Sequence, residues 1–235
     1  MPSRPGIRSK RYGNRCYGLG VPRLRDDDAR RLQLSEAVFA TLAELGPGGL
    51  TLRAVAERAG CTTGLVLHTF RDKQALLLHA RDVLHERSRL RAERLEAAAV
   101  ADADADPAAA VRAVASASLP TDAEGLAEAR VWVGFVAAAL GDPVLAERHT
   151  AANRSFVARL ARLLEAARGS AGTDVDGDAG TRDPHGAADA AARASALVAA
   201  IEGIATLTAG DPAAWPAERQ HAALAVTLTA VLARA

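Results

Sequence analysis

From about Asp26 onward, apolar residues recur at steps of three and four, the spacing of one helix face. Leu34, Val38, Leu42 and Leu45 form such a row, with Phe39 beside them. Asp26, Asp27 and Asp28 at its start suit the positive end of a helix dipole, and the run Gly46–Gly49 ends it. Thr51 is placed to cap a short helix in which Leu52, Val55, Ala56 and Ala59 share a face. Gly60 stops that helix, and a second short one is predicted from about Thr62 to Phe70. Asp72 caps a third, whose Ala75, Leu76, Leu77, Ala80 and Leu84 open a long pattern reaching toward Ala99.

Three further helical stretches follow, together with two that close the chain. They cover Pro107–Leu119, Asp122–Leu140, Val144–Arg168, Ala187–Ala209 and Pro216–Ala235, with breaks at Gly141–Pro143 and in the aperiodic stretch 169–186, expected to be a flexible loop. No alternating strand pattern competes, so the fold class is all-α. An N-terminal three-helix domain occupies 26–80, and a C-terminal helical domain occupies 81–235.

Composition agrees with helix. Ala and Leu dominate, both strong helix formers, and aromatics make up only 3%. The net charge of +1 gives no overall attraction to nucleic acid, so any electrostatic footprint is local. Residues 1–25 are a separate block: Arg4, Arg8, Lys10, Arg11, Arg15, Arg23 and Arg25 lie among glycines and prolines, with no acid before Asp26. That block reads as a disordered tail, or as a basic arm that tracks phosphates. Cys16 and Cys61 match no metal spacing, which points to a reducing cytoplasm without a disulfide. No apolar run reaches the ~20 residues of a membrane span, and no signal peptide is evident.

Residues Leu50–Leu78 form the constellation that bears on function. A short helix, a glycine turn, a second short helix and a longer one make a helix-turn-helix. Leu65 or Val66, with Phe70, can anchor the second helix inward, leaving Thr62, Thr63, Leu67, His68 and Thr69 for the outward face or rim. At these residues the chain resembles the tetracycline-repressor (TetR) family of bacterial transcription regulators. Thr51, Val55, Ala56, Ala59, Gly60, Cys61, Gly64, Phe70, Lys73 and Leu76 carry the likeness. Glu128–Glu165 and Asp211–Ala235 resemble the C-terminal half of the BetI type within that family, which implies an effector-sensing and dimerising domain. The chain departs from the family where Leu67 replaces a common Tyr and Thr69 a His or Tyr. The Tyr hydroxyl usually touches a phosphate, so one positioning contact is lost.

The predicted DNA-binding residues are Thr51, Arg53, Thr62, Thr63, Gly64, Leu67, His68, Thr69 and Lys73. Base reading needs no full charge: Thr hydroxyls hydrogen-bond base edges, and Leu or Thr methyls pack on the thymine methyl. Thr51, Arg53 and Lys73 flank the reading helix and are placed for phosphates. Plainer readings stand beside these: solvated charges for Arg53 and Lys73, a rim position for His68 and partial burial for Leu67.

Trp132, Phe135, His149, Asn153 and Phe156, with Glu128, are the candidate lining of a pocket for an unknown small-molecule effector, core packing being the alternative for each. The last two helices are candidates for a four-helix homodimer interface, with Leu197, Val198, Ile201, Leu224, Leu228 and Leu232 as knobs. A two-fold DNA operator demands such a dimer. Asp174–Asp178 misplaces the glycine of a calcium loop, so no metal is expected there. No nucleophile–base pair, phosphate loop or cofactor motif argues for an enzyme. The expected function is a dimeric repressor released from a palindromic operator by its effector. A ligand-independent or partner-controlled regulator is the alternative.

Overall fold

The computed structural model describes residues 22–101, 106, 108–171 and 184–233, and every regular element among them is an α-helix. The N-terminal unit comprises α1 (Pro22–Gly49), α2 (Leu52–Arg58), α3 (Thr63–Thr69) and the start of α4 (Lys73–Ala101). The rest is α5 (Ala109–Ser116), α6 (Ala123–Ala139), α7 (Pro143–Ala171), α8 (Pro184–Gly210) and α9 (Ala217–Leu232).

Short polar side chains set several helix starts. Thr51 accepts from the Ala54 amide at 3.0 Å, Thr62 from Leu65 at 3.3 Å, Asp72 from Ala75 at 2.8 Å and Asp122 from Gly125 at 2.7 Å. Each supplies an acceptor to an amide that has no partner within its helix. At the end of α2 the amide of Cys61 reaches back to the carbonyl of Ala56, and that of Gly60 to Glu57. This closing pair needs a left-handed residue, and Gly60 has φ 62°.

Some expectations shift. Helix α1 begins at Pro22, not Asp26, so the aspartates lie beyond its first turn; proline is well tolerated at a helix start because its missing N–H has no partner there. Leu45, expected on the apolar face, is 54% exposed. It falls in the last turn before the chain kinks at Gly46 (φ 65°), and Leu50 beyond the turn is the buried residue. The stretch 169–186 is shorter than predicted as a loop, since α7 runs to Ala171 and α8 starts at Pro184. The arm up to residue 21, with Cys16, and the Asp174–Asp178 segment lie outside the described residues.

Two buried clusters organise the molecule. The first joins Leu34, Val38, Phe39 and Leu42 of α1 to Val55, Val66, Phe70, Leu76 and Leu77, then continues onto Val131 and Phe135 of α6. The second gathers Val111, Val114, Leu160, Leu164, Leu197, Val198, Ile201, Leu224 and Leu228 from α5, α7, α8 and α9. Helix α4 threads both, with Leu76, Leu77, Ala80 and Leu84 in the first and Ala92 in the second.

Leu197, Val198, Ile201, Leu224 and Leu228 are therefore core residues within one protomer, and Leu232 packs at the edge of that core. They are not free to act as interface knobs. The membrane expectation also needs correction: Ala188–Gly210 contains a window of mean hydropathy 1.4 and is long and apolar enough to span a bilayer. In the structure α6, α7 and α9 pack along that helix, and 44% of the window is buried.

Candidate DNA-reading helix and ligand cavity

Helix α3 is anchored by two residues and presents the others. Val66 is fully buried and Phe70 nearly so, while Leu65 is half-buried. Thr62, Thr63, Gly64, Leu67, His68 and Thr69 are all exposed, Leu67 at 47%. Thr62 is partly committed to its cap, and the Thr69 hydroxyl donates back to the Leu65 carbonyl at 3.4 Å. The Thr63 hydroxyl and the His68 ring form no hydrogen bond among the described residues.

Around α3, Thr51 caps α2, and Arg53 and Lys73 are exposed on α2 and at the first residue of α4. All nine predicted DNA-binding residues are exposed, on α3 or on the ends of the elements that flank it in the chain. Arg71 joins them in the α3–α4 link, its side chain 85% exposed and touching Asp72 at 3.2 Å. Sequence reasoning passed over Arg71 because it lies between periodic segments. Arg58 is occupied differently, forming a fork with Glu44 of α1 that braces α2 against α1.

Where the two clusters meet, a cavity of about 190 Å³ opens between α4, α5, α6, α7 and α8. Trp132, Asn153, Phe156 and Glu128 line it. Phe135 does not: it is fully buried in the first cluster, three residues along α6 from Trp132 and turned toward the reading domain. His149 also falls outside the lining, one turn from Asn153 on α7.

The cavity's polar residues are mainly ones the sequence reading missed. Arg91 of α4 grips Glu128 with two hydrogen bonds of 3.0 Å, and Glu128 raises the Arg91 guanidinium above its ordinary value. Arg81 and His85 of α4 and Glu202 of α8 also face the space. Burial pushes Arg81 down and Glu202 up, each partly offset by the charge of the other. Burial likewise lowers His85 and His149, and the positive Arg81 adds to both effects. A usable signal existed in the sequence: Arg81 interrupts the apolar row from Leu77 to Leu84, and a charge inside such a row marks a buried site.

Comparison with known proteins agrees with this geometry. Residues 34–80 match the family described as bacterial regulatory proteins, tetR family, and residues 107–233 match the BetI-type transcriptional repressor C-terminal family. The HTH-type transcriptional regulator BetI of Stenotrophomonas maltophilia is 33% identical over 141 residues, 60% of this chain and 69% of that one. A transcriptional regulator from Rhodococcus sp. Rha1 superposes with a TM-score of 0.70 at 28% identity, covering 86% of this chain and 96% of that one. A regulator from Saccharomonospora viridis, solved in complex with choline, shares the fold at a TM-score of 0.67 and 19% identity, again over 86% and 96%. A TetR-type reading domain followed by a BetI-type C-terminal half spanning more than half the sequence identifies the chain as a DNA-binding transcriptional regulator of the TetR family.

Proposed function

We propose that the protein is a cytoplasmic, homodimeric repressor that is released from an inverted-repeat operator when a small effector occupies the Trp132 cavity. One observation carries this reading: a single helix serves both sites. Helix α4 begins with Lys73 beside the reading helix and continues through Arg81, Leu84, His85 and Ser88 along the cavity wall. A ligand that alters the packing of α4 at the cavity thereby alters the position of α3. For the effector to act, it must bind the released arrangement more tightly than the DNA-bound one. The cavity itself speaks against the ligand-independent alternative.

The dimer has its own support. With the large residues of α8 and α9 turned inward, their outer faces carry Ala192, Ala196, Ala199, Gly203 and Leu207, and Ala222, Ala225, Val226 and Ala230. Val226 is 73% exposed, and a side chain added at Gly203 would meet nothing in its own protomer. A strip this rich in small side chains suits close approach by the same helices of a second copy.

Selection of bound duplexes from random DNA tests the reading, with an inverted repeat as the expected product. On the selected duplex, Thr63→Ala combined with Lys73→Ala abolishes specific binding while the helical spectrum and melting temperature stay unchanged. Recovery of unrelated sequences, or undiminished binding by the double variant, overturns it.

A further inference from the structure

Two charged side chains on the cavity wall, Arg81 and Glu202, form no ion pair among the described residues, and Arg81 is the more deeply buried. Arg81 is only 7% exposed, its Nε is buried without a hydrogen-bond partner, and it forms no ion pair among the described residues. A buried guanidinium without a partner is costly, and arginine does not escape by losing its proton. The other cationic groups on the wall are already satisfied: Arg91 by Glu128, Arg89 by Glu86 and Glu93, Arg159 by Glu96 and Glu93. Glu202 senses Arg81 electrostatically but does not pair with it. Nearby, the carbonyl oxygen of Asn153 is also buried without a partner, leaving an amide that can turn either end toward a ligand.

Resting on the effector reading above, we propose that this cavity binds a monocarboxylate carried on an apolar body, with the carboxylate held by Arg81 and assisted by Asn153. The planar guanidinium matches a carboxylate through two parallel hydrogen bonds. Leu84, Leu95, Val114, Trp132, Phe156 and Ile201 offer the apolar body its walls. A single negative charge fits better than a phosphate dianion, because only one arginine is free and Glu202 repels a second charge. A cationic ligand fits worse: Glu128 already has both oxygens engaged by Arg91, and a cation at Glu202 would be repelled by Arg81, whose charge acts on that carboxylate.

The test is calorimetric titration of the full-length protein with butyrate, hexanoate, octanoate and decanoate, with the matching primary amides, and with choline. At least one acid binds, and its amide binds about tenfold more weakly, the factor for losing a charge-assisted hydrogen bond. Arg81→Gln brings the acid down to the level of its amide, so that the acid–amide difference disappears. Glu202→Gln, which folds independently of any change at Arg81, tightens acid binding severalfold by removing the opposing charge. The proposal is overturned if no acid outbinds its amide, if choline outbinds every acid, or if Glu202→Gln leaves acid affinity unchanged. Operator release measured in parallel separates the two readings. Choline or an amide releasing operator while the acids do not overturns the carboxylate assignment and keeps the effector-gated repressor. An acid that binds through Arg81 without releasing operator keeps the assignment and overturns the gating.

Discussion

Adjacent residues on α3 have opposite fates: Val66 is sealed in the core, while Leu67 and His68 next to it face solvent. That division was legible in the sequence because a helix fixes which side chains share a face. Buried polar residues were far less legible, since a histidine in sequence gives no sign of what covers it. Three half-buried histidines show it: His79, His85 and His149 are each held below the ordinary 6.5, with burial the largest cause. His79 is also linked to the Ser35 hydroxyl at 2.6 Å and stacked near Phe70, with ring centres 4.9 Å apart. The sign follows from the unfolded chain, where these rings titrate near 6.5. Well above 6.5 neither state is protonated and this contribution to stability is complete. As pH falls below 6.5 the unfolded chain takes up protons first, so stability declines until the lower folded values are passed. Chemical denaturation at pH values stepped down through 6.5 therefore gives a falling free energy of unfolding. His79→Asn, which cannot titrate, makes that fall shallower; an identical slope in the variant counts against the buried ring at position 79.

Among the elements, the short helices α2 and α3 and the glycine turn between them follow closely from the sequence, because Thr51, Thr62 and Gly60 act within a few residues of themselves. The assignment of faces on α6 did not follow. Trp132 and Phe135 are three apart and looked like neighbours on one wall, yet only Trp132, which also packs against the first cluster, reaches the cavity, while Phe135 is sealed inside that cluster. Tertiary packing decides this: α1 presses against α6 closely enough that a Cβ at Gly134 would sit 3.2 Å from Pro47. Phe135, next to that point, fills the seam between the reading domain and the C-terminal domain. Truncating it leaves a void in a close-packed region, and Phe135→Ala is expected to cost about 3–5 kcal/mol in denaturant titration. Trp132→Ala, at the half-empty cavity, costs less and shows instead as weakened ligand binding. The reverse ranking of the two variants would return Phe135 to the pocket and Trp132 to the core.

On the scale of the whole molecule, the inward burial of Leu197, Val198, Ile201, Leu224 and Leu228 changes what a partner subunit can touch. Sequence periodicity identified α8 and α9 as apolar but not which of two apolar faces each helix would keep for itself, because alanine suits core and close interface equally. The face left over is built from small residues, with Leu207 and Val226 as its larger members. These positions are exposed in the protomer, so substituting them disturbs the fold little, within about 0.5 kcal/mol for an ordinary surface change. In a dimer the same substitutions bury charge against charge across the two-fold axis, where each appears twice. Gly203→Arg combined with Val226→Arg is therefore expected to give a folded monomer in sedimentation velocity. The consequence for DNA is steep: each reading helix then binds alone, and the gain from tethering two half-sites, on the order of 10²-fold or more, disappears. Affinity for the full inverted repeat falls to that for one half-site, while half-site affinity itself is unchanged. A double-arginine variant that stays dimeric, or that binds the full operator as tightly as before, places the subunit contact on some other face than that of α8 and α9.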